Sequence, residues 1–155
     1  MRIFRDIANF TVQENVSIVD ALSLLNETKN RILFVVNSFG VVLASFSDGD
    51  FRRWVVSTKD LDLQKRILSI ANREFVSIHE DSPEREIAAL FSEKIEVVPL
   101  VDDEFRIRAV AKPEKKLFSI GRFNVSKDSR VLVIAEIGNN HNGNLAEAKK
   151  LVDSA

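Results

Sequence analysis

The sequence contains no cysteine among its 155 residues, which excludes disulfide bonds and thiol catalysis and fits a reducing compartment. It has no apolar run near the roughly 20 residues that a membrane-spanning helix needs. The net charge is −1, so the composition gives no general attraction to nucleic acid or to a membrane surface. The opening, MRIFRDIANF, lacks the apolar stretch of a signal peptide. We therefore expect a soluble, cytoplasmic protein that binds neither nucleic acid nor membrane.

The most informative stretch is RILFVVNSFGVVLASFSDGDFRR, residues 31–53. Residues 32–36 and 41–46 are rich in β-branched and aromatic side chains, so each predicts a strand. The segment NSFG between them predicts a hairpin turn, in which Gly40 is free to take a positive φ. With 45% apolar residues overall, the chain can form a core of one domain, or of one domain plus a fragment.

A polar helix start follows the second of these strands. Ser47 and Asp50 have the spacing of a capping box, in which each side chain bonds the backbone N–H of the other. The N-terminus of a helix also attracts anions, and Arg52 and Arg53 follow within one turn. Two interpretations stay open: a simple cap with solvated arginines, or a site for a phosphate-bearing ligand.

The chain contains an internal repeat of about 65 residues. Helical periodicity at residues 16–29 is followed by strand, turn and strand up to residue 46, and the same order recurs at residues 82–111. Ser82 is the predicted cap of the second helix, with Pro83 at its first position, and residues 75–78 are a predicted strand. Because neither unit can cover its own sheet, we expect the two to pack together.

The two copies differ at the helix start. Three pairs of positions correspond: Asn37 with Asp102, Ser47 with Lys112, and Asp50 with Lys115. Only the first copy therefore has the Ser-x-x-Asp pattern.

The repeats resemble the cystathionine-β-synthase (CBS) domain pair, or Bateman module, through VSIVDAL, ILFVVNSFGVVLASFSDGDFRR and VSIHEDSPEREIAALFSEKIEVVPLVDDEFRIRAV. The resemblance implies an α+β fold of two β-α-β-β-α repeats. The first would span about residues 10–57 and the second about residues 63–115, within a CBS region at residues 1–115.

The same resemblance implies a regulatory ligand, an adenine nucleotide such as AMP, ADP or ATP. Asp50 would bind the ribose hydroxyls, Ser47 would lie beside it at the helix start, and Arg52 and Arg53 would reach the phosphates. The lysines of the second copy count against a second adenosine site. The resemblance further implies a homodimer formed through the CBS helices. We expect two helices to form the contact faces, the one with Trp54 and the one with Ile87, Leu90 and Phe91.

Residues 116–155 have a different character. The apolar run VLVIAEI is interrupted only by Glu136, and a polar loop, GNNHNGN, leads into a helix. A buried strand, a loop and a helix form the opening of a βα unit. A buried carboxylate is costly, which favours a functional role for Glu136.

IGRFNV and IAEIGNNHNGNLAEAKKLVDSA closely resemble the start of the sialic acid synthase (N-acetylneuraminate synthase) family. Those (β/α)₈ barrels condense phosphoenolpyruvate with an N-acetylmannosamine-type sugar and use a divalent metal. The resemblance implies that Glu136 is a substrate-site residue of a longer parent enzyme. Asn139 and His141 are weaker candidates for the same role. The family's metal-binding histidines lie further along than this sequence reaches, so the resemblance assigns the metal only to that parent. His141, without cysteine or spaced histidine partners, is a weak signal for a metal site.

Two functions from different classes fit these patterns. One is a nucleotide-sensing regulatory module ahead of a truncated sialic acid synthase-like barrel, and the other is a non-sensing dimerisation module of the same parent. A complete enzyme is poorly supported, because the 155 residues contain no constellation of catalytic groups. We expect residues 131–137 to pack on the CBS pair or on a partner chain, as an added strand or an exchanged segment and not as a native barrel strand.

Overall fold

The structure is a computed structural model that describes residues 1–114, 118–121, 123–125, 138 and 140–154. It divides into two units, Met1–Glu114 and Lys115–Ala155, each described here by itself. No helix in the described part of the chain is long and apolar enough to cross a membrane.

The first unit opens with a short strand, β1 (Arg2–Phe4), and the first repeat follows it. The elements of this repeat are β2 (Thr11–Gln13), α1 (Ile18–Thr28), β3 (Ile32–Val36), β4 (Val42–Ser47) and α2 (Asp48–Ser57). Strand β3 is central in the sheet, parallel to β2 and antiparallel to β4. The side chain of Ser17 caps α1, and Ala21 and Leu25 of this helix pack against buried residues of the sheet. The β-α-β-β-α order predicted for the first repeat is therefore confirmed.

The second repeat contains β5 (Ile78–His79), α3 (Glu84–Ala89), β6 (Val98–Val101) and β7 (Ile107–Lys112). Its sheet has the order β1-β7-β6-β5, so the N-terminal strand of the chain completes it. Up to Glu114, the last described residue of this unit, no second helix follows β7. The predicted closing helix of the second repeat is therefore not seen in this part of the chain.

Both hairpins carry the same irregularity. In the first repeat the register shifts between Val35 and Val36, and in the second it shifts between Leu100 and Val101. A β-bulge at the same place in each copy gives both hairpins the same local bend. The 65-residue repeat predicted from the sequence is thus confirmed in the strand register.

The two turns bond to one another reciprocally. The backbone N–H of Val42 donates to the carbonyl of Phe105, and the N–H of Ile107 donates to the carbonyl of Gly40, each at 3.1 Å. Gly40 and Phe105 occupy equivalent positions, with φ of 81° and 61°. The left-handed conformation predicted for Gly40 is confirmed, and the two repeats are related by a local pseudo-two-fold axis at this crossing.

The segments that lead into the repeats are exchanged between them. Strand β1, ahead of the first repeat, pairs with β7 of the second, with Phe4 opposite Val110. Asn72, ahead of the first strand of the second repeat (β5), exchanges two 2.8 Å backbone hydrogen bonds with Ser45 of β4. The repeats also share a buried apolar core of Phe10, Phe34, Val36, Val42, Val101, Ile107 and Val110. This exchange explains why the two repeats form one unit.

Two local predictions were wrong. Ser82 does not cap α3, because the cap position falls on Pro83, which has no side-chain acceptor. The predicted strand at residues 75–78 is reduced to Ile78–His79. Phe75 instead packs between Phe34 and Phe105, with ring centroids 6.2 Å apart in each pair.

The second unit contains a two-stranded hairpin, β8 (Phe118–Ile120) and β9 (Phe123–Val125), and a helix, α4 (Leu145–Ser154). The side chain of Asn144 accepts the backbone N–H of Ala146 at 2.9 Å and so caps α4. The helix predicted at this place is confirmed. Residues 131–137 lie outside the described residues, so their predicted docking stays a prediction.

Candidate functional site

Ser47 and Asp50 form the capping box that their spacing predicts, at the junction of β4 and α2. The backbone N–H of Ser47 donates to Oδ2 of Asp50 at 2.8 Å, and the Ser47 hydroxyl donates to the same oxygen at 2.6 Å. The backbone N–H of Asp50 donates to the Ser47 hydroxyl at 3.4 Å. The helix-cap interpretation of these two residues is therefore confirmed.

The remaining oxygen of Asp50 pairs with an arginine one turn along the helix. Nη2 of Arg53 lies 2.5 Å from Oδ1 of Asp50, whose side chain is only 9% exposed. The Arg53 side chain is 73% exposed and folds back over Gly49. A Cβ at Gly49 would lie 3.3 Å from Nη1 of Arg53, so glycine leaves room for the guanidinium.

The acceptor capacity of the Asp50 carboxylate can be counted. Each oxygen of an ionised carboxylate can accept about two hydrogen bonds. Oδ2 already accepts two from Ser47, whereas Oδ1 accepts one from Arg53. Oδ1 therefore has room for one further donor while Arg53 is in place, and for two donors once Arg53 moves away.

The predicted site residues are only partly brought together. Ser47, Asp50 and Arg53 form one cluster, while Arg52 lies exposed on α2 outside it. Phe51 of α2 packs on the buried cluster of the first repeat, as do Leu68 and Ile70 of the segment between α2 and β5. The sequence alone did not indicate this shared packing.

The equivalent place in the second repeat is built differently. Nζ of Lys112 donates to Oδ1 of Asn30 at 2.9 Å and lies 4.9 Å from the ring centroid of Phe10 and 5.9 Å from that of Phe4. Nδ2 of Asn30 in turn donates to the carbonyl of Asn9 at 2.8 Å. The sequence showed that Lys112 replaces serine, but not that it contacts residues more than 80 positions away.

Asp102 is the carboxylate whose titration the structure alters most clearly. Burial raises the pKa of Asp102, but hydrogen bonds from Arg106 and Arg108 outweigh this effect and lower the pKa to about 2. The same pairing raises the pKa of the Arg106 guanidinium. Asp102 lies in the turn between β6 and β7, so its role is structural.

The two histidines take part in local turns. His79 is half-exposed; its Nδ1 accepts the backbone N–H of Asp81 at 3.2 Å, and its Nε2 lies 3.2 Å from Asp103. His141 accepts the backbone N–H of Gly143 at 3.1 Å, just before α4. The described residues contain no group of three or more His, Asp or Glu side chains that could hold a metal. Glu136 and Asn139 lie outside the described residues.

The CBS domain family matches residues 5–57, which include the whole capping box. The first repeat is a CBS domain. No curated protein matches the sequence. Among solved structures, the CBS domain pair of protein MJ0100, in complex with 5′-methylthioadenosine and S-adenosyl-L-methionine, is 27% identical with a TM-score of 0.55. The similarity covers 66% of this chain and 83% of that chain.

Two more distant structures share the fold. The CBS-domain protein ATU1752 of Agrobacterium tumefaciens is 22% identical, with a TM-score of 0.56. The similarity covers 66% of this chain and 82% of that chain. The CbpB protein of Listeria monocytogenes, solved in complex with c-di-AMP, is 14% identical with a TM-score of 0.57. That similarity covers 66% of this chain and 78% of that chain. The mixed α+β fold of a CBS domain pair is therefore shown for this chain.

Proposed function

We propose that the first CBS repeat binds an adenine nucleotide at the Ser47, Asp50 and Arg53 cluster and so acts as a regulatory sensor. The observation that carries this proposal is the Asp50 carboxylate, which is nearly buried at a helix N-terminus and still has acceptor capacity on Oδ1. An ionised carboxylate can accept hydrogen bonds from both hydroxyls of a ribose. The helix start and the two arginines favour a phosphate nearby.

The ligand class is supported by what the similar structures contain. Protein MJ0100 was solved with S-adenosyl-L-methionine and 5′-methylthioadenosine, and CbpB with c-di-AMP. These ligands differ in charge and in their substituents, but all contain an adenosine moiety. We therefore take the adenosine part as the common element and leave AMP, ADP and ATP as the nucleotides to compare.

Ligand binding at Asp50 requires an exchange of partners. Two ribose hydroxyls need two acceptor positions, and Oδ1 offers two only when Arg53 moves away. Because the Arg53 side chain is 73% exposed, its ion pair with Asp50 is worth no more than about 1 kcal/mol. A released Arg53 can then pair with a phosphate of the same nucleotide, which compensates for the lost bond.

We also propose a parent enzyme of the sialic acid synthase type, with this CBS pair ahead of its barrel. The resemblance of residues 120–125 and 134–155 to that family supports this, together with the hairpin β8–β9 and the helix α4 in the expected order. In that parent Glu136, with Asn139 and His141, would contact the substrates, and the divalent metal would be bound by other residues. The 155-residue chain itself would be non-catalytic and cytoplasmic.

A second candidate is a dimerisation module that senses no ligand. It is favoured by the hydrogen bonds of Asp50, because both carboxylate oxygens already accept from groups of the same chain. It is also favoured by α2, where Val56 is 88% exposed and Trp54 is only half-buried. An apolar side chain so exposed on a helix fits a partner surface such as the same helix of a second copy.

A thermal-shift screen separates the two candidates. AMP, ADP, ATP and S-adenosyl-L-methionine are compared with CMP, which offers ribose and phosphate without adenine. A ligand at 100 times its Kd stabilises the folded state by about 2.7 kcal/mol, so sensing predicts a Tm increase of several degrees with an adenine ligand. If no adenine ligand raises Tm above the CMP control, the dimerisation function is the better account.

A further inference from the structure

At the position where the first repeat has the Ser47 hydroxyl, the second repeat has the Lys112 ammonium group. Lys112 ends β7 as Ser47 ends β4, and the equivalent strand registers confirm the correspondence. Strand β1, which pairs with β7, brings Phe4 close to the Lys112 ammonium. We call Lys112, Phe4, Phe10 and Asn30 the Lys112 site.

The Lys112 site is held together by three different contacts. The ammonium donates to the amide oxygen of Asn30, and it lies 4.9 Å from the ring centroid of Phe10, a ring that is buried in the shared core. Phe4 lies beside Phe10, with ring centroids 5.7 Å apart, and its own centroid is 5.9 Å from the ammonium. The electrostatic attraction between a cation and an aromatic face is stabilising, and more so as the cation is desolvated. A ligand entering here would have to displace all of these contacts.

The chemistry of the Lys112 site also differs from that of the Ser47 cluster. An ammonium group donates hydrogen bonds but cannot accept them. The Ser-x-x-Asp carboxylate has no counterpart in the second repeat, because the position equivalent to Asp50 is Lys115. At the position of Asp50 the second repeat therefore has a lysine, which cannot accept hydrogen bonds from ribose hydroxyls.

We propose that Lys112 occupies the nucleotide position of the second repeat from within the chain, so that each chain holds one nucleotide, in the first repeat alone. The stoichiometry part rests on the proposed function of the Ser47 cluster. The occupancy part does not, since it concerns only where the Lys112 side chain lies.

The test combines a chemical and a thermodynamic measurement on the full chain. Limited acetylation followed by mass spectrometry compares Lys112 with Lys59, an exposed lysine in the loop after α2. Isothermal titration with AMP gives the stoichiometry for the wild type and for Asp50→Ala. We expect Lys112 to react several-fold more slowly than Lys59, both with and without AMP. We also expect one AMP per chain in the wild type and binding weakened at least tenfold in the variant.

Three results would overturn the proposal: acetylation of Lys112 as fast as that of Lys59, two AMP molecules per chain, or protection of Lys112 that arises only when AMP is added. If the wild type binds no AMP at all, the proposed nucleotide function fails. The acetylation rate of Lys112 in the free protein then still decides whether this side chain fills the site.

Discussion

Asn37 and Asp102 accept equivalent backbone hydrogen bonds in the turns of the two repeats, but only Asp102 carries a charge. Oδ1 of Asn37 accepts the backbone N–H groups of Phe39 and Val41, both at 3.0 Å. Oδ1 of Asp102 accepts two backbone N–H groups at the corresponding positions of its own turn, at 3.0 and 2.8 Å. The first turn is therefore held by a neutral side chain, and the second by a carboxylate.

Two arginines donate hydrogen bonds to the Asp102 carboxylate. Its Oδ2 accepts from Nε of Arg106 at 2.8 Å and from Nε of Arg108 at 2.9 Å. These bonds exist at full strength only while the carboxyl is ionised. The second hairpin should therefore respond to acid in a way that the first does not.

The first prediction concerns acid stability. Although burial raises the pKa of Asp102, the hydrogen bonds from Arg106 and Arg108 hold it at about 2 in the folded state, below the usual value of 3.8. A folded-state pKa below the unfolded value stabilises the protein above about pH 4, and this contribution is lost as the pH falls towards 2. Urea unfolding should show that Asp102→Asn is less stable than the wild type at pH 7 and that the difference shrinks between pH 4 and pH 2.

A matched control for Asp102→Asn is Glu93→Gln, which removes an exposed carboxylate from the same repeat. It should show no such pH-dependent difference from the wild type. An Asp102→Asn difference that stayed constant from pH 7 to pH 2 would show that the carboxylate charge does not stabilise the turn.

The second prediction concerns the exchange of partners at Arg53. Arg53→Ala removes the competitor of the ribose hydroxyls and also a phosphate partner. Adenosine should therefore bind this variant at least as tightly as the wild type, whereas AMP should bind more weakly, by about tenfold at most for an exposed side chain. Calorimetry with both ligands measures the contrast.

Arg52→Ala is the matched comparison, since it removes the same charge without freeing Oδ1 of Asp50. It should weaken AMP binding and leave adenosine binding unchanged. If Arg53→Ala weakened adenosine and AMP equally, Arg53 would be positioning the site, and the partner exchange would be wrong.

The third prediction concerns assembly through α2. Val56 is 88% exposed, and a glutamate in its place would put a charge into any interface formed by this helix. Light scattering at tens of micromolar should give a dimer for the wild type and a monomer for Val56→Glu. Phe39→Glu, which changes an apolar residue 78% exposed at a hairpin tip, should remain dimeric. A monomeric wild type would rule out the dimer.

The fourth prediction concerns the second unit. Removing residues 117–155 should leave the CBS pair folded, because every buried apolar cluster found among the described residues lies within the unit Met1–Glu114. The shortened chain should melt cooperatively and bind AMP as the full chain does. If the shortened chain unfolded, the tail would be part of the CBS core.

What the sequence could predict was mostly local. The capping box of Ser47 and Asp50 depends on two residues three positions apart, and the hairpin turn at Gly40 depends on four. The 65-residue repeat could be predicted because both copies preserve the same apolar alternation. For the capping box and the turn, the signal lies within one element or its immediate neighbour.

What the sequence could not predict depends on distant residues. Lys112 contacts Phe4 because β1 crosses to the second sheet, and no local pattern indicates that crossing. Phe75 looked like a strand residue, yet packing against Phe34 and Phe105 took it out of the sheet. The Ser82 cap was wrong by one residue, since the helix begins after Pro83.

The central claim is that Asp50 carries nucleotide recognition, and AMP titration of the wild type, Asp50→Ala and Asp48→Ala tests it most directly. Asp48 lies exposed in the same first turn, so its variant matches the change in charge but not the change at the site. Charge-assisted hydrogen bonds are worth about 1.5–3 kcal/mol, so Asp50→Ala should weaken AMP binding about tenfold or more. Loss of the cap should lower its stability by about 1 kcal/mol without unfolding it. Asp48→Ala should bind like the wild type, and equal AMP affinity in Asp50→Ala and the wild type would contradict the claim.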